Sequence, residues 1–244
     1  MSTSEELLAA ASQPDPDRRF GGLRRLHGVS GYERLRAARV AVVGVGGVGS
    51  WTAEALARSG LAQLTLIDLD NIAESNINRQ LHALDTTLGQ AKIEAMKGRI
   101  ELINPKCIVR TIDDFVTPEN WAVLVELMSK EAAIDAVIDA CDHVRTKIAM
   151  AAWSLAQRQV AYICVGAAGG KMKSHDVQIN DLSITTHDPL LAKMRYSLRR
   201  QYGASRDGKI GLNCVYSQEP VASPDRFDSC SVDANLNCHG YGSV

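Results

Sequence analysis

Short apolar runs alternate with polar turns along most of the chain and predict strands and helices in succession. Residues 40–43 form one such run, a glycine-rich turn follows it, and apolar positions at helical spacing then continue to Gly60. A second run, residues 64–67, ends at Asp68. Because this alternation persists to residue 165, the sequence predicts an α/β fold: a Rossmann-like, mostly parallel sheet with helices on both faces.

The pattern changes after residue 165. A glycine-rich turn, a polar strand near residues 177–179 and a basic helix near residues 188–202 predict a smaller C-terminal extension. Residues 1–17 are polar and acidic with two prolines, and we expect them to form a flexible lead. Residues 18–244 are then expected to form one folded domain.

Composition narrows the class of protein. The chain has 244 residues, of which 45% are hydrophobic and 23% charged, so it can bury a large core. It contains no apolar run of about 18 residues and does not open on an apolar leader. We therefore expect a cytoplasmic protein with reduced thiols. The net charge of −1 disfavours indiscriminate binding to nucleic acid.

The turn after the first strand has the spacing of a phosphate-binding loop. Gly44 permits the tight turn, Gly46 and Gly47 let backbone N–H groups approach a phosphate, and Gly49 lets the helix pack closely on the strand. The helix begins here, and its positive end favours an anion. Asp68 lies about 20 residues further on, where such sites place a carboxylate on ribose hydroxyls. A glycine turn used only for packing is the alternative.

The segment after Asp68 distinguishes a triphosphate from a dinucleotide. It places Asp70, Asn76 and Arg79 at the carboxyl end of the second strand, and Lys92 opens the next predicted helix. Attack on an α-phosphate builds negative charge that cations must neutralise, whereas a dehydrogenase has no such need. Either cation alone would be interpreted as solvated surface charge. Together with the carboxylates they favour ATP over NAD.

Longer motifs indicate a family. The chain resembles the ThiF/MoeB/ubiquitin-activating superfamily of carboxylate-adenylating enzymes over residues 18–166, through the strings RRFGGLRRLHG, GVGGVGS, DLDNIAESNINRQ and VIDACD. It is similar to a tRNA-modifying branch of that superfamily through INPKC, DDFVTPEN, GAAGG, HDPLLAKMR and GLNCVYS. Relatives in this branch continue into an apolar strand and helix, which we expect to be missing from a chain that stops at Val244.

The resemblance implies roles for individual residues. Asp68 corresponds to the ribose-binding carboxylate, Asn76 and Arg79 to phosphate contacts, and Lys92 to the cation near the α-phosphate. Asp142 corresponds to a carboxylate that holds Mg²⁺ on the phosphates, which suits an ion that prefers one or two carboxylates plus phosphate oxygens and water. Asp142 also precedes a predicted helix, so an N-cap is the alternative role.

The implied reaction is ATP-dependent adenylation of the threonyl carboxylate of threonylcarbamoyladenosine in tRNA. A nitrogen or oxygen of the same side chain then attacks the mixed anhydride, and the group cyclises. Arg79, Lys92 and Asp142 would be the catalytic residues. Two alternatives stay open: adenylation of the C-terminus of a ubiquitin-like or sulfur-carrier protein, and a catalytically inactive adenine-nucleotide-binding module or an NAD enzyme.

One position departs from the family pattern. Relatives that begin RYxRQ supply an arginine to the neighbouring subunit's site, and the resemblance therefore implies a homodimer. Alignment on Arg19 and Phe20 puts Gly22 at the arginine position. Arg19, Arg24 and Arg25 are candidate substitutes, and a solvated basic face is the alternative.

The cysteines argue against a zinc site. No two of them form a CxxC pair, so the zinc clip of sulfur-carrier-activating relatives is absent and we predict no structural zinc. Cys141 and Cys164 lie in apolar strand contexts and are expected to be buried and inert. Cys214, Cys230 and Cys238 fall in a polar, loop-like tail. They are expected to be plain free thiols, with a sulfur-accepting role as the alternative. A monovalent cation and a sulfur-transfer protein are further candidate ligands.

A local basic stretch is a candidate RNA-binding surface. Asp207 alone opposes its positive charges, and Lys171 and Lys173 precede it. Such density suits RNA phosphates, and a solvated helix face is the alternative. The stretch comprises Lys193, Arg195, Arg199, Arg200, Arg206 and Lys209.

Overall fold

A computed structural model describes residues 14–222, and within them the chain forms a single sheet of seven strands with helices on both faces. The strand order is β3-β2-β1-β4-β5-β7-β6, and within the described range β6–β7 is the one antiparallel pair of strands. The predicted α/β class with a mostly parallel sheet is confirmed. The strands are β1 Arg39–Val43, β2 Gln63–Ile67, β3 Ile108–Ile112, β4 Ala136–Asp139, β5 Ala161–Val165, β6 Val177–Asp181 and β7 Asn213–Ser217.

Most helices connect these strands as crossovers. The short helix α1 is followed by α2, which is kinked at Gly28, and both precede β1. Short 3-10 turns occur at Glu74–Asn76, Asp85–Thr87, Ser174–Asp176 and Leu182–Ile184. The α-helices are α1 Pro16–Phe20, α2 Gly22–Ala37, α3 Gly47–Arg58, α4 Lys92–Ile103, α5 Trp121–Ser129, α6 Val144–Gln157 and α7 Pro189–Gln201.

Strand β1 lies at the centre of the sheet because both of its faces are apolar. Val40 and Val42 pack into one hydrophobic cluster, and Ala41 and Val43 pack into the other, on the opposite face. A strand buried on both faces belongs in the middle of a parallel sheet. The carboxyl ends of β1, β2 and β4 therefore meet at one edge of the sheet, where open α/β sheets bind ligands.

The C-terminal extension contains the predicted polar strand, β6, and the predicted basic helix, α7. It also contains a strand that the sequence did not predict. Strand β7 pairs parallel to β5 and antiparallel to β6, and so joins the extension to the main sheet. None of the described helices has the length and apolar character required to cross a membrane. The predicted boundary between a 1–17 lead and an 18–244 domain stays a prediction.

Candidate functional site

The glycine turn lies at the carboxyl end of β1 and has little room for side chains. Gly44 has a φ of +85°, and a Cβ there would lie 2.9 Å from the backbone nitrogen of Cys141. A Cβ on Gly49 would lie 1.8 Å from the Gly44 carbonyl oxygen. Helix α3 begins at Gly47. Its N-cap residue is Gly46, which provides no side-chain hydrogen bond to the first N–H groups of the helix. Its first N–H groups are therefore suited to bind an anion.

Asp68 joins the glycine turn to the end of β2. Its Oδ2 accepts a hydrogen bond from the Val45 N–H at 2.6 Å, and its Oδ1 accepts one from the Asp70 N–H at 2.9 Å. Burial raises the pKa of the Asp68 carboxyl above its usual value, although Lys92 and the two N–H groups act in the opposite direction. As pH falls, Asp68 thus gains a proton earlier than an ordinary aspartate.

Lys92 places a cation beside these carboxylates. It is the first residue of α4, and its N–H donates to the Asp70 carbonyl oxygen at 3.0 Å. Its Nζ lies 2.6 Å from Asp70 Oδ2 and 4.0 Å from Asp68 Oδ1. The Lys92 side chain is 8% exposed, whereas that of Asp70 is 61% exposed. A phosphate oxygen could therefore replace the exposed partner Asp70 without moving the ammonium group far.

Arg79 and Asn76 lie in the loop that covers the start of α3. A Cβ on Gly47 would lie 3.5 Å from Arg79 Cγ, so the arginine chain passes directly beside the glycine turn. Arg79 Nη1 donates to the Ser75 carbonyl oxygen at 2.7 Å. Asn76 is buried, and its Oδ1 accepts from the Ala73 N–H at 3.0 Å. The structure thus places Arg79 next to the glycine turn, whereas the Asn76 amide closes its own 3-10 turn.

Asp142 is exposed in the turn after β4. It follows Cys141, whose backbone nitrogen lies close to Gly44. Helix α6 has its N-cap at His143, so the alternative assignment of Asp142 as N-cap is wrong by one residue. His143 has the extended backbone of a cap, with φ −82° and ψ 108°.

The same turn rests on a buried polar network that the sequence analysis missed. Lys147 and Asp139 are both fully buried, with Lys147 Nζ 2.9 Å from Asp139 Oδ1. The Tyr162 hydroxyl donates to Asp139 Oδ2. Burial alone would lower the pKa of the Lys147 ammonium, but the neighbouring Asp139 carboxylate raises it above its usual value. The one sequence signal was an aspartate at the end of an apolar strand, with a lysine in the first turn of the next helix.

Two further buried polar side chains, His82 and Gln80, lie in the segment that follows Arg79. His82 is 2% exposed, and neither of its ring nitrogens has a hydrogen-bond partner among the described residues. Burial, assisted by the charges of Lys92 and Arg99, lowers its pKa to about 4. Gln80 is also buried, and its Nε2 lies 3.9 Å from where a Gly46 Cβ would be. His82 is therefore neutral at pH 7.

The candidate substitutes for the missing arginine have different surroundings. Arg19 donates to the carbonyl oxygen of Ile103 at 2.8 Å, at the end of α4. Arg24 stacks over the Tyr32 ring at 5.1 Å. Arg25 is exposed on α2. Arg19 and Arg24 already have partners within the chain, and an arginine acting in a neighbouring subunit stays a prediction.

The basic stretch divides into bound and exposed side chains. Arg195 Nη1 donates to the carbonyl oxygens of Leu182 and Thr185 at 3.0 and 2.9 Å, so its role is structural. Arg199 Nε donates to the Ser205 carbonyl oxygen at 3.0 Å. Arg195 is thus half-buried and bound within the chain, and its part in an RNA-binding surface stays a prediction. The exposed members are Lys193, Arg200, Arg206 and Lys209.

The cysteines within residues 14–222 are free thiols. Cys164 is fully buried as predicted, whereas Cys141 is only partly buried; burial and nearby Asp139 raise the pKa of Cys141. The prediction that Cys214 lies in a loop-like tail is wrong, because it is buried in β7 opposite Cys164. Cys107 is also buried, which raises its pKa to about 11. Cys230 and Cys238 lie outside the described residues.

The described residues contain no group of three or more His, Cys, Asp or Glu side chains that could hold a metal on their own. A zinc clip needs such a group, whereas Mg²⁺ bound on ATP does not, because phosphate oxygens and water complete its shell. One exposed carboxylate at the nucleotide edge, Asp142, fits the second kind of site.

Comparison with known proteins identifies relatives of this chain. The family model described as the ThiF family matches residues 18–201. A tRNA threonylcarbamoyladenosine dehydratase of Haemophilus influenzae is 44% identical over 231 residues, which cover 93% of this chain and 86% of that protein. The crystal structure of the Escherichia coli dehydratase, TcdA, in complex with ATP is 43% identical with a TM-score of 0.79, covering 85% of this chain and 84% of that one.

A second class of relatives matches a shorter part of the chain. The ubiquitin-like modifier-activating enzyme 5 of Drosophila mojavensis is 34% identical over 152 residues. The match covers 60% of this chain and 38% of that protein. The similarity to the dehydratases therefore extends further along the chain than the similarity to this carrier-activating enzyme.

Proposed function

The chain belongs to the ThiF family, and we propose that it uses ATP to adenylate the threonyl carboxylate of threonylcarbamoyladenosine in tRNA and then cyclises the activated group. The observation that supports this most strongly is the dehydratase similarity over 93% of the chain, on a fold that places Arg79 beside the glycine turn and Lys92 beside Asp68. The enzyme is thus an ATP-dependent tRNA threonylcarbamoyladenosine dehydratase that forms the cyclic modification.

The first step joins substrate and nucleotide. A carboxylate oxygen of the substrate attacks the α-phosphorus, and pyrophosphate leaves. The glycine turn and the start of α3 would bind the phosphates, and Asp68 would accept hydrogen bonds from the ribose. Lys92 and Arg79 would stabilise the charge that builds on the non-bridging oxygens. Lys92 suits this role because its one close partner, Asp70, is exposed and can be displaced.

Asp142 is the proposed Mg²⁺ carboxylate. It is exposed, it lies beside the strand end that contacts Gly44, and Mg²⁺ on a nucleotide needs only one or two protein carboxylates. When bound, the ion would neutralise phosphate charge during adenylation. Asp142 would hold it in position relative to the glycine turn.

The second step needs no protein nucleophile. A nitrogen or oxygen of the same substrate side chain attacks the acyl adenylate, AMP leaves, and the net change in the modified base is the loss of water. An intramolecular attack has a high effective molarity, so the protein has to position the group and exclude water. Burial raises the pKa of both Cys141 and Cys107, which is unsuited to a thiolate relay.

The exposed basic residues at the end of α7 are the proposed contact with tRNA phosphates. Asp188 at the start of α7 accepts from the Ala167 N–H, next to the carboxyl end of β5. The helix has 13 residues and is thus about 20 Å long. Arg200, Arg206 and Lys209 consequently lie near the opposite edge of the sheet from the nucleotide site. At that distance they would contact an RNA stem rather than the reacting base.

We further propose a cytoplasmic homodimer, as the family resemblance implies. A carrier-protein substrate is the second candidate function, favoured by the 34% identity to a ubiquitin-like modifier-activating enzyme. Release of pyrophosphate on addition of substrate separates the two. We expect release with tRNA that bears threonylcarbamoyladenosine and none with a ubiquitin-like protein; the reverse result would favour the second function.

A further inference from the structure

A fully buried lysine holds the turn that carries Asp142. Lys147 Nζ donates to Asp139 Oδ1 at 2.9 Å, to the Asp139 carbonyl oxygen at 3.2 Å and to the Cys141 carbonyl oxygen at 2.9 Å. An ammonium group has three protons, and each has a partner here. Two of the three partners are backbone carbonyls at the end of β4 and in the turn after it. Lys147 therefore holds the backbone of the turn in place as well as pairing with the Asp139 carboxylate.

The Asp139 carboxylate completes this support. It accepts from the Tyr162 hydroxyl on β5, and the Cys141 N–H also donates to its Oδ1 at 3.3 Å. Cys141 is thus held at its nitrogen by Asp139 and at its carbonyl oxygen by Lys147. The next residue is Asp142. The opposite side of the turn packs on the phosphate loop, because a Cβ on Gly44 would lie 3.0 Å from the Ala140 carbonyl oxygen.

A buried ion pair is a poor device for stability alone, since apolar side chains of similar volume stabilise a core as well or better. Another buried carboxylate, Glu54, pairs with Arg99, and the hydrogen bonds of that pair join side chains. The Lys147 group differs because its bonds converge on the backbone next to the proposed metal ligand.

We propose that Lys147 is a positioning residue, which together with Asp139 and Tyr162 fixes the turn so that Asp142 is preorganised to hold Mg²⁺ on bound ATP. The inference rests on the metal role proposed for Asp142. Groups that orient a metal ligand commonly change metal affinity by about 10- to 100-fold when they are removed.

The test measures ATP binding to the full chain by calorimetry, once with Mg²⁺ and once with EDTA, and takes the ratio of the two Kd values. Lys147→Met alone would leave a buried carboxylate without a counter-charge, so the main variant is Lys147→Met combined with Asp139→Asn. Tyr162→Phe is a milder variant that removes one hydroxyl. Arg99→Met is the control for loss of a partly buried ion pair elsewhere in the fold, and Asp142→Ala is the reference for loss of the ligand itself.

We expect the main variant to reduce the Mg²⁺ advantage in ATP affinity by about tenfold or more. Tyr162→Phe should reduce it by about two- to threefold, and Arg99→Met should leave it unchanged. If the main variant kept the wild-type ratio of Kd values while Asp142→Ala lost the Mg²⁺ advantage, the positioning role would be overturned and the metal role would stand. An unchanged ratio in Asp142→Ala would overturn both.

If the main variant does not fold by circular dichroism, Tyr162→Phe decides the matter, because it strands no charge. A wild-type ratio in Tyr162→Phe would then contradict the proposal. A fall of similar size in Arg99→Met would also contradict it, because the effect would reflect a general loosening of the fold.

Discussion

The carboxyl ends of β2 and β4 each have an aspartate beside the strand end and a lysine from the following helix. The two ion pairs differ in how far solvent and ligands can reach them. Lys92 pairs closely with Asp70, whose side chain is 61% exposed, and Lys147 pairs with Asp139, which is fully buried. A ligand can displace Asp70 from Lys92, whereas none can reach Lys147. The first pair is therefore built to exchange partners and the second to hold the chain still.

This difference shows how one edge of a sheet combines binding with rigidity. A cation that must stabilise charge in a transition state has to be preorganised yet available. A carboxylate that must hold a metal needs a backbone that does not relax when the ion binds. In the proposed function, Lys92 beside the end of β2 would meet the first need, and the buried network at the end of β4 would meet the second.

Removal of the proposed metal carboxylate should have the largest effect. We expect Asp142→Ala to slow ATP-dependent modification of tRNA by about 10²- to 10³-fold, because a charge-stabilising group at the reacting phosphates is lost. The measurement is pyrophosphate release at saturating ATP. Asp207→Ala, an exposed aspartate in the basic stretch, is the control. Unchanged turnover with a native circular dichroism spectrum would remove Asp142 from the mechanism.

The exchangeable lysine should be nearly as important. Lys92→Met keeps most of the side-chain volume and should lower turnover by about 10²-fold, since the cation is needed most when charge builds on the α-phosphate. Lys97→Met, on the same helix, serves as the control. If Lys92→Met turned over as fast as Lys97→Met, Lys92 would have no catalytic role, and its contrast with the buried Lys147 would not bear on catalysis.

The segment that follows Arg79 should make stability sensitive to acid. The pKa of His82 is lowered to about 4 in the folded state, so between pH 6.5 and about 4 the unfolded chain binds a proton that the folded chain does not. Stability should therefore fall as pH drops through this window, by about 2–3 kcal/mol from this residue at pH 4.5.

Urea unfolding at pH 7 and pH 4.5 measures this effect. In His82→Leu the loss of stability between the two pH values should shrink by that amount. His175→Leu, which removes an exposed histidine, should leave it unchanged. An equal acid loss in His82→Leu and in wild type would mean that His82 is protonated in the folded state.

Charges distant from both strand ends should act on RNA affinity alone and have the smallest effect. Arg200→Ala and Lys209→Ala should each weaken tRNA binding several-fold and reduce the slope of log affinity against log salt by about one. Their rates at saturating tRNA should match wild type. Salt titration of tRNA binding checks this, with exposed Lys106→Ala as the control. Variants that bind tRNA like wild type would remove the end of α7 from the RNA surface.

The nucleotide half of the fold could be predicted because its signals are local. Gly44 and Asp68 directly follow strand ends, and Lys92 starts a helix. Short apolar strands flanked by turn residues mark those positions in the sequence. The chemistry of each residue type then limits what it can bind. The structure adds the partner of each group, such as Asp70 for Lys92.

The remainder depends on contacts between distant segments. Lys147 occurs in a helix with other polar residues and has no local feature of a buried lysine; it is buried because Asp139 and the turn after β4 surround it. Cys214 lies among polar neighbours that resemble a loop, and its burial comes from pairing of β7 with β5 and β6. Arg195 is similar, since the carbonyl oxygens it binds lie 10 and 13 residues earlier in the chain.

The most direct test of the central claim is nucleoside analysis of the substrate itself. Purified protein is incubated with ATP, Mg²⁺ and tRNA that contains threonylcarbamoyladenosine, and the digested RNA is examined by mass spectrometry. We predict that the threonylcarbamoyl nucleoside is converted to a product lighter by one water, with AMP and pyrophosphate formed in equal amounts, and that Cys214→Ala converts it equally well. Unaltered tRNA, with pyrophosphate released only when a ubiquitin-like protein is supplied, would contradict the assignment.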